Sequence, residues 1–185
     1  MADTINGLDV SALGEFAESV RQDTANGNVQ FSVTTRWQGQ TKTVTTTESY
    51  SLGGQRYPRE FQIAADEPVE LLGSGSAPNP QELLMAGLNA CMTVGYAAVA
   101  ATKGVTVRSL EIATVGELDL RGFLGLDETV NPGYDEIHYT VRIDADGTPE
   151  QIQEIHEAVM ATSPNFSNLA KAVRMVPKVE IVSSS

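Results

Sequence analysis

Twenty residues near the middle of the chain, 83–102 (LLMAGLNACMTVGYAAVAAT), contain no charged side chain, whereas the segments on both sides mix apolar and polar positions. A helix that is apolar on all of its faces is expected to be buried. The segment is also long enough to cross a bilayer. Six of its residues are alanine, however, Asn89 lies near its centre, and neither flank carries a basic cluster. This composition favours a buried helix of a soluble protein over a membrane span.

Capping residues mark both ends of this central helix. Asn79 fits the N-cap position, Pro80 fits the first turn, and Glu82 completes a capping box. Lys103 places a cation at the C-terminal end, and Gly104 fits the left-handed residue that follows many helices. The central helix is therefore expected to run from Asn79 to Lys103.

The rest of the sequence predicts two further helices and six strands. Apolar positions with helical spacing predict helices over residues 9–21 and 148–161. Alternating or β-branched runs predict strands at residues 29–37, 42–50, 59–64, 105–120, 137–143 and 173–182. Because the strands cluster along the chain instead of alternating with helices, the expected fold class is α+β with antiparallel β-sheets. Residues 1–185 are expected to form one domain, with residues 1–28 as a helical N-terminal extension.

The apolar central helix also predicts an oligomer. A single chain would have to wrap both sheets around this helix in order to bury it. Two copies of the chain can bury it more easily, by packing their central helices against each other. We therefore expect a homodimer with antiparallel sheets around two central helices.

The charge balance limits the possible partners. Twelve Lys and Arg residues against 24 Asp and Glu residues give a net charge of −12. Nucleic acids and anionic membranes bind basic surfaces, so neither is expected as a partner. The N-terminus lacks the charged and apolar segments of a secretory signal. A single cysteine cannot form an intrachain disulfide, and together these features predict a reducing, cytoplasmic setting.

The residue inventory also argues against metal chemistry. One cysteine and two histidines, His138 and His156, do not provide the spacing of a zinc site. We therefore expect the chain to use neither a metal nor a cofactor.

The single cysteine, Cys91, lies in the central helix with Gly87 and Gly95 one turn away on either side. Glycine in a helix interior costs roughly 1 kcal/mol relative to alanine. Two glycines beside the thiol therefore suggest that a helix or a small molecule approaches closely there. The alternative is that Cys91 is a small core residue in a tight helix crossing.

A reactive thiol must ionise, and Cys91 would need help to do so. It lies about 16 Å from the start of the helix, too far for the helix dipole to stabilise a thiolate. A cation from elsewhere would be required, and arginine is best suited because it stays charged when desolvated. Arg56 and Arg59 precede the central helix and Arg121 follows it, so these three are the candidates.

Several motifs resemble the OsmC/Ohr family of proteins. The most specific is the central helix, where Asn-Pro-x-x-Leu-Leu at residues 79–84 is followed by Ala-Cys-Met at residues 90–92. The other similar segments are DEPVELLG at residues 66–73, Gly-Val at 104–105, LRGFLGL at 120–126 and Thr-Ser-Pro at 162–164. The resemblance covers residues 30–182, nearly the whole chain.

The resemblance implies an intertwined homodimer of α+β subunits, and peroxidases of this family reduce organic hydroperoxides between the subunits. By resemblance, Cys91 is the peroxidatic cysteine. An arginine from the early strands of the partner, preferably Arg59 and otherwise Arg56, stabilises its thiolate. The family glutamate that holds this arginine corresponds to Gln81. The expected partners are a second copy of the chain, a small-molecule hydroperoxide and an external thiol reductant.

The sequence departs from the family pattern at two positions. Family peroxidases resolve their sulfenic acid with a second cysteine in a Cys-Pro sequence, whereas this chain has Ser163-Pro164. A serine cannot form a disulfide, so a sulfenic acid at Cys91 would have to be reduced by an outside thiol or be over-oxidised. Gln81 replaces the glutamate and can accept a hydrogen bond only as a neutral group. Glu82 cannot substitute for it, because nine residues of helix turn it through about 900°, to the side opposite Cys91.

Two functions are consistent with these features. In the first, the protein is a one-cysteine thiol peroxidase that acts on organic hydroperoxides in oxidative stress defence, with Cys91, Arg59 and Gln81 as site residues. In the second, it is an OsmC-like dimer without peroxidase turnover, which binds an apolar small molecule at the subunit interface and uses Cys91 only for packing.

Overall fold

A computed structural model of the chain describes residues 4–182. In chain order the elements are β1 (Thr4–Ile5), β2 (Leu8–Asp9), α1 (Val10–Gln22), a 3-10 turn (Thr24–Gly27), β3 (Val29–Phe31), β4 (Thr34–Trp37), β5 (Thr43–Leu52), β6 (Gln55–Ala65), a 3-10 turn (Val69–Leu71), α2 (Pro80–Thr102), β7 (Val107–Gly116), α3 (Leu120–Phe123), β8 (Ile137–Ala145), α4 (Pro149–Thr162) and α5 (Pro164–Ala170). Over the described residues the fold is α+β with antiparallel sheets, as the sequence predicts.

The first half of the chain forms a four-stranded sheet around β5. β5 pairs with β6 on one edge and with both β3 and β4 on the other. The single strand predicted over residues 29–37 is therefore wrong, because it is two short strands separated by Ser32 and Val33. The pairing register of β5 shifts close to Glu48. The shift occurs against β6 on one edge, and on the other edge between the residues paired with β4 and those paired with β3. Such an irregularity depends on pairing across strands, so the alternation within one strand does not reveal it.

The second half packs two helices on a hairpin. β7 and β8 are antiparallel, and the side chains of β8 alternate between the helices and solvent. α2 and α4 cover the inner face of this hairpin. The largest fully buried apolar side chains come from these two helices and are Tyr96, Met92, Ile155 and Val159. The predicted helix over residues 148–161 is confirmed.

The predicted caps of α2 are also confirmed. The Asn79 side chain accepts a hydrogen bond of 2.8 Å from the backbone N–H of Glu82, and the Glu82 carboxylate accepts one of 2.8 Å from the backbone N–H of Asn79. At the other end, Lys103 is the C-cap and Gly104 has a φ of 71°. This left-handed conformation is one that glycine adopts without strain.

Only one face of α2 is buried within a single chain. Leu88, Met92 and Tyr96 point into the core, whereas Val94 is 69% exposed. By length and composition alone α2 is also apolar enough to cross a membrane. It packs, however, against α4, α5 and β7, as the core helix of a folded domain does.

A polar anchor inside α2 supports this interpretation. The Asn89 side chain donates a hydrogen bond of 3.2 Å to the carbonyl of Ile112 and accepts one of 2.6 Å from the Thr114 hydroxyl. Both partners lie on β7. The amide that interrupts the apolar run is thus satisfied within the protein and fixes α2 on the hairpin.

One buried carboxylate holds the connection between β6 and α2. Asp66 accepts hydrogen bonds from the hydroxyls of Thr41 (2.6 Å), Ser74 (2.6 Å) and Ser76 (2.7 Å), and backbone N–H groups of the same connection donate to it as well. The hydrogen bonds, above all the one from Ser74, hold the pKa of Asp66 well below its usual range. The carboxylate therefore ties this connection to the turn before β5.

The end of the chain differs from the prediction. The strand predicted over residues 173–182 is wrong, because this segment pairs with no strand in the described part of the chain and follows a helix, α5, that the sequence did not predict. Its apolar side chains are exposed, Val179 to 85% and Ile181 to 92%. An alternating pattern describes a segment able to pair, but a strand forms only where an edge is available to it.

Candidate functional site

The Cys91 thiol lies beside a serine hydroxyl from a distant part of the chain. Its Sγ atom is 3.3 Å from the Oγ atom of Ser163, at the junction of α4 and α5. Ser163 is only 5% exposed, and Cys91 is half-buried. By the family resemblance Ser163 occupies the position of the second cysteine, and the structure shows that its hydroxyl faces the thiol.

Hydrogen bonds of Ser163 and of its neighbour Asn165 fix the position of Ser163. Its backbone N–H donates to the carbonyl of Val159 at 2.8 Å, which ends α4. Its hydroxyl oxygen accepts from the backbone N–H of Phe166 at 3.3 Å and so caps α5. Next to it, the Asn165 side chain donates to the carbonyl of Gly87 at 2.8 Å, which ties the start of α5 to α2 one turn before Cys91.

The two glycines beside Cys91 face the helices that surround it. A Cβ atom at Gly95 would lie 3.2 Å from the Val159 side chain of α4, which is closer than an ordinary contact. A Cβ atom at Gly87 would lie 3.8 Å from the Asn165 side chain. The expected close approach is therefore found at Gly95, where it is made by α4 of the same chain.

Aromatic rings surround the guanidinium of Arg59, and within residues 4–182 no carboxylate forms a salt bridge with it. Its guanidinium carbon lies 5.8, 5.2 and 5.7 Å from the ring centres of Phe31, Tyr50 and Phe61. These distances are in the range of cation–π interactions. Within residues 4–182 neither a salt bridge nor a hydrogen bond joins Arg59 to Cys91 or to Gln81. The candidate arginine and the thiol are therefore not brought together by a single chain.

The other two candidate arginines have partners of their own. The Nε atom of Arg56 donates to the Ser49 hydroxyl at 3.0 Å. Arg121 donates to both carboxylate oxygens of Asp119, and hydrogen bonds from Arg121 lower the pKa of Asp119. Arg121 is thus paired with a carboxylate two residues away in the chain. The candidate arginines that remain, Arg56 and Arg59, are on β6.

Gln81 lies in the first turn of α2, ten residues before Cys91 and about 15 Å from it along the helix axis. It faces a groove of about 430 Å³ between α2, α5 and the segment before β8. Apolar residues dominate the helical walls of this groove: Leu84, Leu88, Phe166 and Leu169. Gln81 is thus placed beside a cavity and not beside the thiol of its own chain.

The structure shows a second pair of polar side chains in contact, which the sequence did not predict. The hydroxyl of Tyr96 lies 2.5 Å from Nδ1 of His156, and burial raises the pKa of Tyr96 to about 12. Both residues line a depression of about 380 Å³ between α4 and β8. The helical spacing places each residue on an inner face, but only the packing of α2 on α4 shows that they meet.

No group of three or more His, Cys, Asp or Glu side chains within the described residues is arranged to hold a metal ion.

Comparison with known proteins identifies relatives of the chain. Residues 73–178, more than half of the sequence, match the family model described as OsmC-like protein. No curated protein matches the sequence at a significant level.

Solved structures share the fold at low sequence identity. An OsmC-like protein of Mycoplasma pneumoniae is 18% identical, with a TM-score of 0.56 over 80% of this chain and 90% of that one. A protein of Psychrobacter arcticus named for an osmotic stress and detoxification response is 16% identical, with a TM-score of 0.54 over 73% and 85%. An OsmC-like protein of unknown function from Vibrio cholerae is 15% identical, with a TM-score of 0.51 over 75% and 92%. At these identities the likeness concerns the fold alone.

Proposed function

Because the chain belongs to the OsmC-like protein family, we propose that it is a thiol-dependent peroxidase that reduces organic hydroperoxides through Cys91. The observation that carries this proposal is the environment of the Cys91 side chain. It is half-buried and its sulfur faces the hydroxyl of Ser163. A cysteine used only for packing is expected among apolar neighbours, as a small hydrophobe.

In the proposed reaction the Cys91 thiolate attacks the terminal oxygen of the hydroperoxide. The O–O bond breaks, the sulfur is oxidised to a sulfenic acid, and the alkoxide leaves and takes up a proton to become an alcohol. A first external thiol then attacks the sulfenic acid, which releases water and forms a mixed disulfide. A second external thiol attacks this disulfide and restores the Cys91 thiol. External thiols are required because Ser163 offers no second sulfur.

A second copy of the chain completes the site in this proposal. Several surfaces of a single chain are apolar and exposed: Val94 on α2, Phe123 and Leu126 after β7, and Val179 and Ile181 at the end of the chain. Exposed apolar surface of this extent is typical of protein interfaces. In the family that the chain resembles, the arginine comes from an early strand of the partner subunit, and the corresponding strand here is β6.

Arg59 of the partner subunit is the proposed cation. Gln81 is neutral and cannot hold a guanidinium by charge, as a glutamate would. The rings of Phe31, Tyr50 and Phe61 take over this task by cation–π contacts. Such contacts leave the N–H groups of the guanidinium available to the thiolate. The cytoplasm, where thiol reductants are abundant, is the compartment that fits this reaction.

A second function is favoured by one observation. The groove beside Gln81 is large, has apolar walls on both helices and does not include Cys91. A dimer that binds an apolar small molecule there would need no redox chemistry. Such a protein would bind its ligand equally well after Cys91→Ser, whereas the proposed peroxidase would lose all turnover.

The test is the consumption of cumene hydroperoxide with several thiol reductants, each supplied in excess. The proposal requires consumption by the native protein and its loss in Cys91→Ser. The matched control is Thr93→Ser, a similarly small change at an exposed position of the same helix.

A further inference from the structure

We propose that Ser163 is a catalytic residue whose hydroxyl donates a hydrogen bond to the Cys91 thiolate and afterwards to the sulfenic acid formed from it. This inference rests on the proposed peroxidase function, since it gives Ser163 a part in that reaction. The distance of 3.3 Å between Cys91 Sγ and Ser163 Oγ is within hydrogen-bonding range for sulfur.

The direction of this hydrogen bond follows from the partners of the hydroxyl. The Ser163 oxygen already accepts from the backbone N–H of Phe166. Its single proton is not used in that bond and is free to point towards the sulfur. A thiolate has no proton to offer, so once Cys91 is ionised Ser163 is the donor. Hydrogen bonds to an ionised group favour the ionised form.

Burial and tethering make this hydrogen bond effective. Ser163 is 5% exposed, so water competes poorly for its proton. The bond from Asn165 to the carbonyl of Gly87 holds α5 against α2 next to the thiol. The hydroxyl is thus presented to the sulfur by the fold and does not need to be ordered during the reaction.

The same contact has a consequence for the oxidised sulfur. A cysteine at position 163 would condense with the sulfenic acid and expel water, whereas the serine can only hydrogen-bond to it. The sulfenic acid therefore persists until an external thiol attacks it. Ser163 thus favours the ionisation of the Cys91 thiol and lengthens the lifetime of the sulfenic acid.

The alternative is that Ser163 serves only as the N-cap of α5, and variants can separate the two roles. Ser163→Ala loses the cap and the donor. Ser163→Thr keeps both. Ser163→Gly keeps an accepted N-cap residue but removes the donor without adding a charge beside the sulfur. Thr148→Ala removes the equivalent cap of α4, where the side chain of Thr148 accepts from Gln151 and does not touch Cys91.

The experiment measures the rate of Cys91 alkylation by iodoacetamide as a function of pH. We expect the midpoint of this curve to rise by about one pH unit in Ser163→Ala, a tenfold loss of thiolate below the midpoint. It should rise by a similar amount in Ser163→Gly and stay unchanged in Ser163→Thr and Thr148→Ala. The same midpoint in Ser163→Gly as in the native protein would overturn the inference, even if Ser163→Ala did not fold.

Hydroperoxide consumption by the same samples separates this inference from the proposed function. A shifted alkylation midpoint without any consumption by the native protein would contradict the peroxidase and leave Ser163 as the donor to the thiolate. Consumption with unshifted midpoints would support the peroxidase and reduce Ser163 to a helix cap.

Discussion

Cys91 Sγ and Ser163 Oγ lie 3.3 Å apart although 72 residues separate them in the chain. The contact joins the middle of α2 to the junction of α4 and α5. It places a hydroxyl where a second sulfur would allow an internal disulfide.

The first prediction restores that second sulfur. In Ser163→Cys, peroxide should produce an intrachain disulfide with Cys91, because a disulfide requires its sulfur atoms to approach to about 2.05 Å and the present contact is already short. Mass spectrometry without reductant should show the loss of two hydrogen atoms and no free thiol. Thr162→Cys is the control, since the Thr162 side chain is exposed and bonds to the carbonyl of Ala158 instead. Two free or over-oxidised cysteines in Ser163→Cys would contradict the proximity of the two side chains.

The second prediction concerns the cation. Arg59→Ala should lower the rate of Cys91 alkylation at neutral pH and the rate of peroxide consumption by at least about tenfold, because a nearby opposite charge shifts an ionisation by one to three pH units. Arg56→Ala should leave both rates nearly unchanged, since Arg56 bonds to Ser49. Equal losses in the two variants, or a loss only in Arg56→Ala, would show that Arg59 is not the cation.

The third prediction tests how Arg59 is held. Replacing Phe61 by leucine removes one of the three rings around the guanidinium while keeping an apolar side chain. We expect a smaller loss of peroxide consumption than in Arg59→Ala, at an unchanged Tm.

Gln81→Glu should in turn recover part of the loss in the Phe61→Leu background, because it returns a charged acceptor. If Gln81→Glu recovered none of the peroxide consumption, position 81 would not be the one that holds Arg59.

The fourth prediction is a pH dependence of stability. The folded protein lowers the pKa of Asp66, so this carboxylate contributes stability above the pKa of an unfolded aspartate, about 3.9, and loses the contribution as the pH falls further. Asp66→Asn should therefore lower the Tm at pH 7 and reduce the dependence of Tm on pH between about 2 and 4. The control is Glu70→Gln, an exposed carboxylate in the same connection. Parallel Tm curves for Asp66→Asn and the native protein would contradict this role.

The fifth prediction concerns the exposed end of the chain. Val179→Asp combined with Ile181→Asp places charges on side chains that are almost fully exposed in one chain. If they are buried between subunits, the double variant should dissociate at concentrations at which the native protein is a dimer. Lys178→Ala, which removes an exposed ion pair with Glu180, should not dissociate. Sedimentation velocity distinguishes the two outcomes, and a native monomer would refute the dimer itself.

Local signals in the sequence were sufficient for the three long helices, α1, α2 and α4. The capping boxes at Asn79 and Thr148 are formed by neighbouring residues, and both helices begin where these residues place them. The same reasoning failed for residues 173–182, because their alternation does not reveal whether an edge is available to pair with. It also failed at Ser32 and Val33, where the interruption comes from the register of the partner strand.

The candidate site was predictable only in part. Cys91 was predicted as a site residue because it is the single cysteine, and Ser163 was singled out by the family resemblance. Their contact could not be predicted, because it depends on how the end of α4 packs against α2. The aromatic rings around Arg59 come from β3, β5 and β6, and no short-range pattern connects them. The Tyr96–His156 pair likewise depends on the crossing of two helices.

The central claim is that Cys91 turns over hydroperoxide, and one measurement tests it most directly. Native protein and Cys91→Ser are given the same amount of cumene hydroperoxide with excess dithiol, and the peroxide that remains is followed with time. The account predicts many equivalents consumed per subunit by the native protein and none above background by Cys91→Ser. Equal consumption by the two proteins, or at most one equivalent by the native protein with every reductant tried, would contradict it.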